Sequence, residues 1–199
     1  MNRQLVSAAV CMLLFCGCSV TDELTVFEDR VLSEAQMQPF LGTYTLTAST
    51  SNMRKGELTV RKTGARYFGV FESADKDGKR YKSEGHFLLS HIPTTAGFRI
   101  GETDVRFTTN RDTILLSIPK LTVSEPPSDD MVLDNVVLIV KREGTMLYVW
   151  QVLTTASVAK GRLEAEGGVM KADEVKSFLA EYADAYVLAN EPEFVFAKR

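Results

Sequence analysis

Hydrophobic and polar residues alternate along most of the chain beyond residue 42, and this alternation predicts β-strands. Tyr44, Leu46 and Ala48 alternate with threonines, which is the period of a strand with one buried face. The same period recurs around Leu58 and Val60, from Tyr81 through Gly85 and Phe87 to Leu89, and around Val105 and Phe107. Counting such runs gives about ten short strands, and hairpins join consecutive strands most simply. We therefore predict a mainly β fold, an antiparallel barrel or sandwich.

Short turns that contain glycine separate several of these predicted strands. They are Thr63-Gly64, Asp77-Gly78 and Glu143-Gly144. Glycine at such a position supplies the positive φ that a tight hairpin needs. Residues 124–130 contain two adjacent prolines and are predicted to form a longer loop.

One predicted hairpin is apolar on both faces. Residues 136–140 and 146–153 are hydrophobic at nearly every position, and a strand buried on both faces needs cover on both. A helix near residues 173–187 can supply this cover, because apolar side chains recur there at helical spacing. They are Val175, Phe178, Leu179, Tyr182 and Tyr186. We therefore predict one C-terminal α-helix packed on the outside of the β core.

The start of the chain has the layout of a secretory signal peptide. Arg3 precedes an apolar run over residues 5–15, which is shorter than the roughly 20 residues that a membrane-spanning helix needs. The run ends in Phe15-Cys16-Gly17-Cys18. This segment resembles the lipobox of bacterial lipoproteins, in which a small residue precedes the cysteine that becomes lipidated. Gly17 and Cys18 match the pattern, whereas Phe15 and Cys16 depart from it.

The lipobox resemblance implies a signal peptide over residues 1–17, lipidation at Cys18 and attachment to a membrane through that lipid. Two alternatives remain, namely cleavage after Ser19 by ordinary signal peptidase and an uncleaved N-terminal anchor. Ser19 rather than Asp follows the cysteine, which in Gram-negative lipoproteins implies the outer membrane, facing the periplasm. Residues 18–31 are then predicted to be a tether, and residues 32–199 a single β-rich domain.

The order of elements along the mature chain resembles that of calycins, the lipocalin-like barrels. Residues 33–36 have the form of a helix capping box, and Gly42-Thr43-Tyr44 opens the first predicted strand, where the family has G-x-W. Thr103-Asp104 is a remnant of the family's T-D-Y, and Lys198 or Arg199 stands where the family has a closing arginine. The resemblance implies a barrel that carries a small apolar molecule.

The sequence holds no nucleophile elbow, zinc-protease, P-loop or dinucleotide-binding motif. Its two histidines, His86 and His91, are five residues apart, so they fall on opposite faces of a continuous strand. His86 shares a polar face with Lys82 and Glu84, and His91 is expected in a turn. We predict no enzyme activity, no cofactor and no metal site.

Three further groups are candidate functional residues, and each also has a simpler structural interpretation. Asp75-Lys76-Asp77-Gly78, with Glu84, resembles a calcium loop, but the interspersed lysines and flanking strands favour a hairpin turn. Asp129 and Asp130 either bind a cation or basic partner or are simply solvated. Tyr148 and Trp150 share one strand face, which lines either a ligand cavity or the ordinary core.

The charge balance argues against nucleic-acid binding. The chain has 23 Lys and Arg against 26 Asp and Glu, a net charge of −3, and so lacks a strong basic field. Its three cysteines all lie within the first 18 residues, which leaves the mature domain without disulfides.

We predict a lipid-anchored cell-envelope protein, a non-catalytic binding or structural module that has a possible protein partner in the envelope. The alternative is a calycin-like carrier of a small apolar ligand.

Overall fold

A computed structural model describes residues 27–92, 95–100, 103–108, 113–125, 130–151, 176–177, 179–180 and 191–199. Near the start of this range, the short helix α1 (Glu34–Met37) lies between the 3₁₀ turns Glu28–Arg30 and Gln38–Phe40. Ten strands follow: β1 Gly42–Ser49, β2 Met53–Thr63, β3 Arg66–Asp75, β4 Arg80–His91, β5 Thr95–Ile100, β6 Thr103–Thr108, β7 Thr113–Ser124, β8 Met131–Glu143, β9 Met146–Gln151 and β10 Phe194–Lys198.

Eight of these strands form a closed antiparallel barrel. Strands β1 to β4 and β7 to β10 pair in chain order, and β10 closes the barrel by pairing with β1. Strands β5 and β6 pair with each other as a separate hairpin in the connection from β4 to β7. The predicted mainly β, antiparallel architecture is confirmed, and the barrel rather than the sandwich is the form that it takes.

The glycine turns lie where the sequence predicts them. Gly64, Gly78 and Gly144 have φ values of 62°, 79° and 58°, and each sits in a hairpin turn between two paired barrel strands. A residue with a Cβ is strained at such φ values. These glycines therefore allow three tight antiparallel connections.

Alternation sorts most strand residues between the barrel interior and its outer surface, and β1 departs from it at Ala48. Tyr44 and Leu46 are buried, as predicted, but Ala48 is exposed. The pairing of β1 with β10 shifts in register between Leu46 and Ala48. Such a bulge reverses the faces of the residues that follow, so the prediction that Ala48 faces inward is wrong.

The apolar run 136–140 of β8 is buried on both faces, as its sequence predicts. Val136 and Val140 belong to the barrel interior, and their neighbours Val137 and Ile139 are also at most 2% exposed. The helix described over its whole length is the N-terminal α1 rather than the predicted one near 173–187. Of that predicted helix, residues 176–177 and 179–180 are described and are helical, and Leu179 is 1% exposed. The rest lies outside the described residues.

The segment before β1 lies against the barrel. Ser33 caps α1 in the predicted capping box with Gln36, and the 3₁₀ turn that contains Pro39 follows after a single helical turn. The backbone N–H of Leu32 donates to Leu89 O of β4 at 2.9 Å. The end of the barrel that α1 covers, where β1 begins and β4 ends, is called the α1 end below.

Residues 1–26 lie outside the described residues, and with them Cys18 and most of the predicted tether over 18–31. Its last residues contact β4, because Val31 forms a bridge with Ser90 and the Phe27 N–H donates to Ser90 Oγ. Within the described ranges, no helix combines the length and the apolar character needed to span a bilayer.

Candidate ligand cavity in the barrel

The barrel interior contains a cavity of about 140 Å³. Seven of its eight strands and the 3₁₀ turn before β1 contribute to the wall. The wall residues are Phe40, Leu58, Val60, Gly69, Phe71, Ser83, Gly85, Phe87, Leu89, Leu116, Ile118, Leu121, Leu138, Val140, Leu147, Val149, Phe194 and Phe196. Among these described residues, Ser83 alone has a polar side chain. The cavity therefore resembles a hydrocarbon environment.

A pair of glycines leaves part of this space free. Gly69 of β3 and Gly85 of β4 lie directly opposite each other in the ladder, and neither places a side chain in the barrel. A Cβ added to Gly69 would meet the Phe87 ring at 3.7 Å, which is ordinary contact. A Cβ added to Gly85 would lie 2.6 Å from Lys120 O of β7. Gly85 thus also permits the close approach of two strands.

The close approach coincides with an irregularity between β4 and β7. The ladder pairs Glu84 with Thr122 and next pairs Leu88 with Ser117, so residues 85–87 face the four residues 118–121. One extra residue in β7 is a β-bulge, and Pro119 in this stretch has no N–H to donate to the ladder. As a result both Ile118 and Leu121 line the cavity, although they are three residues apart.

Aromatic rings of β3 and β10 form much of the cavity wall. The Phe71 ring contacts Phe194 and Phe196 of β10 edge to face, with centroid distances of 5.6 and 5.4 Å. Such pairs add packing energy beyond their buried area. These ring contacts pack β10 against β3 across the barrel interior. They also place only apolar side chains on this part of the cavity wall.

Tyr44 closes the α1 end of the barrel. Its side chain is fully buried, and its hydroxyl donates to Phe40 O at 2.9 Å. Lys198 lies over the Tyr44 ring at 5.9 Å and donates to Pro39 O at 3.1 Å. Of the two terminal basic residues, Lys198 therefore packs on the ring, and Arg199 instead pairs with Glu57.

Burial also changes the acidity of this tyrosine. Removal from water raises the pKa of Tyr44 above its ordinary value of 10.0, and the positive charge of Arg142 lowers it by a smaller amount. The buried Nε of Arg142 has no hydrogen-bond partner in the part of the chain that is described. Arg142 is not part of the cavity wall.

Ser83 is the polar group of the cavity. It lies on β4, is 5% exposed and lines the cavity, and its hydroxyl forms no hydrogen bond with the described residues. Ser73 on the neighbouring strand β3 is also buried, at 8% exposure, but it is not part of the wall. Ser83 was not among the residues predicted from the sequence, although it alternates with Lys82 and Glu84 and so shares the face of Tyr81 and Gly85 on a predicted strand.

The two histidines are far apart on the surface of β4. His86 is exposed, its ring lies edge to face with Phe68 at 5.0 Å, and Lys82 and Glu84 on the same face form an ion pair at 2.6 Å. His91 is the last residue of β4 rather than part of a turn, and its Nε2 lies 3.3 Å from Gln36 Nε2. The structure does not bring either histidine to the cavity.

The described acidic candidates, Asp75, Asp77, Glu84 and Asp130, do not line the cavity either. Asp75 organises the β3–β4 hairpin turn, because its Oδ1 accepts from the N–H groups of Asp77 and Lys79, both at 2.9 Å. The prediction of a hairpin turn here is confirmed. Asp130 is exposed and Asp129 lies outside the described residues. Within the described ranges, no group of three or more potential metal ligands is present.

Strand β9 presents its aromatic residues to the outside of the barrel. Leu147 and Val149 line the cavity, so the alternate residues Tyr148 and Trp150 face outward, where their rings stack at 6.1 Å. The idea that the face with Tyr148 and Trp150 lines a ligand cavity is therefore wrong. The sequence of β9 is apolar at consecutive positions and does not distinguish its faces.

Comparison with family models, with curated proteins and with solved structures finds no match to this chain.

Proposed function

We propose that this chain is a lipid-anchored protein of the bacterial cell envelope whose barrel binds a small, mainly apolar molecule. The observation that carries the binding role is the cavity of about 140 Å³ inside the closed barrel. Apolar cavities of about 150 Å³ stay dry and accept molecules such as benzene or xenon. The cavity is smaller than the roughly 300 Å³ at which pockets for drug-sized ligands begin, so the ligand is compact.

A binding role rather than catalysis is supported by the chemistry of the wall. General acid–base or nucleophilic catalysis needs a positioned titratable or nucleophilic group with an activating partner. Ser83 has no such base beside it among the described residues, and both histidines lie elsewhere. The earlier prediction of a protein partner in the envelope stays a prediction.

The anchoring part of the proposal depends on the N-terminal sequence. A signal peptide over residues 1–17 and a lipid on Cys18 would place residues 32–199 at a membrane surface, on the periplasmic side of the outer membrane. Lipoprotein-type attachment with several acyl chains is far more durable than attachment by one. The barrel would then be a permanent resident of that surface.

Native mass spectrometry of the purified chain, combined with analysis of its organic extract, tests the binding role. We expect a compact apolar molecule bound at one copy per chain. Gly69→Val places methyl groups in the cavity and should abolish retention, whereas Thr59→Val, which introduces the same residue outside the cavity wall, should not. Equal retention by both variants would show that the molecule binds somewhere else.

Replacement of Cys18 tests the anchor separately. Cys18→Ser should abolish incorporation of labelled palmitate and release the protein from the membrane fraction. Membrane retention together with an intact N-terminus would instead indicate the uncleaved anchor. Retention of palmitate label in the variant would place the lipid on another residue.

A further inference from the structure

The inner face of the barrel is graded in polarity along β4. From the β3–β4 turn towards the α1 end, its inward residues are Tyr81, Ser83, Gly85, Phe87 and Leu89. The Tyr81 hydroxyl donates to Asp75 Oδ2 at 3.1 Å, so polar groups occupy the end nearest the turn. Beyond Ser83, the β4 side chains that line the cavity are purely apolar.

Ser83 is 5% exposed and lines the cavity, and its hydroxyl forms no hydrogen bond with the described residues. A hydroxyl can donate one hydrogen bond and accept two, and leaving such a group unsatisfied in an apolar interior costs free energy. A purely hydrocarbon ligand would leave this cost in place. A ligand with one hydroxyl, carbonyl or N–H group at that point would remove it.

We infer that the ligand is an amphiphile of about the size of a substituted benzene, with one hydrogen-bonding group held by Ser83 and its apolar part directed towards Phe40. This inference rests on the proposed binding function and specifies the class of ligand. The wall provides polar contact at this one position among its described residues. A second polar group on the ligand would be buried without a partner, which disfavours it.

Phenol and toluene test the inference because they have almost the same shape and differ in one hydroxyl. The full chain, with labelled isoleucine methyl groups and embedded in phosphatidylcholine nanodiscs, is titrated with each probe at measured free concentration. The methyl group of Ile118 lines the cavity and should shift on binding. Ile139, which faces away from it, is the reference signal.

Substitution of Ser83 separates the role of the hydroxyl from that of the cavity. Ser83→Ala should lower the affinity for phenol by about 5- to 100-fold, as expected for a buried polar group that loses its partner, and leave the affinity for toluene unchanged or slightly raised. Ser73→Ala, also buried but outside the wall, should change neither affinity. Should Ser83→Ala fail to fold, Ser83→Cys keeps the volume, forms a weaker hydrogen bond, and should lower phenol affinity to a smaller extent.

Three results would overturn the inference. If Ser83→Ala lowers the affinities of phenol and toluene alike, or lowers neither, Ser83 does not recognise the polar group of the ligand. The proposed binding function is not affected by either result. If toluene binds the unchanged chain and phenol does not, the ligand class is purely apolar. If neither probe shifts Ile118, the proposed binding function fails, and this inference fails with it.

Discussion

The two facing glycines, Gly69 and Gly85, have different structural roles despite their identical chemistry. Space beside Gly69 belongs to the cavity, whereas the space beside Gly85 is taken by the β7 backbone. A backbone carbonyl cannot move aside as the end of a flexible side chain can. The effect of adding one methyl group should therefore differ sharply between them.

Gly85→Ala should destabilise the barrel by about 1–3 kcal/mol, the usual cost of overpacking. Gly69→Ala should be neutral, or stabilising by up to about 1 kcal/mol, because it restricts the unfolded chain without a clash. Urea unfolding can be followed through Trp150, the single tryptophan, which is buried. A Gly85→Ala variant as stable as Gly69→Ala would mean that β4 and β7 are not in close contact there.

Tyr44 makes the stability of the barrel depend on pH in the alkaline range. Its pKa is raised in the folded state by burial, so the folded chain holds this proton more tightly than the unfolded chain does. The resulting contribution is complete below the ordinary pKa of 10.0 and declines as pH rises above that value. The free energy of unfolding should therefore fall as the pH rises above about 10.

Tyr44→Phe removes this titration and should make the alkaline decline less steep, at the cost of the hydrogen bond to Phe40 O. Tyr148→Phe leaves Tyr44 intact and should preserve the full decline. Urea unfolding at a series of pH values measures both slopes. Parallel slopes in the two variants would show that other groups cause the alkaline loss.

At the scale of elements, the β3–β4 turn depends on one side chain. Asp75 accepts hydrogen bonds from two backbone N–H groups of the turn and from the Tyr81 hydroxyl. Asp75→Ala leaves these donors to water or without partners and should cost about 1–3 kcal/mol. Asp77→Ala changes an exposed side chain of the same turn and should cost less than about 0.5 kcal/mol. Comparison of the two urea midpoints provides the test.

Local features of the elements were predictable from the sequence, and features set by distant pairing were not. Alternation and glycine turns indicated β1 to β4 because both signals are local. Closure of the barrel depends on the pairing of β1 with β10, which no local pattern encodes. The exposure of Ala48 results from a bulge in that same long-range pairing.

The candidate site was less predictable than the fold. Leu58, Phe87 and Leu89 were expected on an inward face, but their alternation does not show whether the interior is filled or hollow. Whether the interior is filled or hollow depends on how all seven strands that line the cavity pack around it. Ser83 has no sequence motif, since a lone serine in a strand is usually a surface residue. In β9, apolar residues occupy consecutive positions, so the sequence does not show which face points inward.

At the scale of the whole molecule, the cavity should be visible as a volume change. An apolar cavity of about 140 Å³ corresponds to about 80 mL/mol, within the range by which proteins contract on unfolding. Pressure should therefore unfold the chain, with Trp150 fluorescence as the signal. Gly69→Val fills part of the cavity and should reduce the contraction, whereas Thr59→Val should leave it unchanged. An equal contraction in all three proteins would show that the interior is not empty.

Strand β10 is the last strand of the barrel in chain order, and it alone joins β1 to β9. A ribosome makes the chain from its N-terminus, so β1 and β9 must each keep an unpaired edge until β10 has been made. Unpaired strand edges invite association with other chains. If the protein is exported, as proposed, crossing the membrane unfolded postpones barrel closure until β10 has emerged. Premature release of a chain that ends before Phe194 should then yield an aggregating product rather than a smaller barrel.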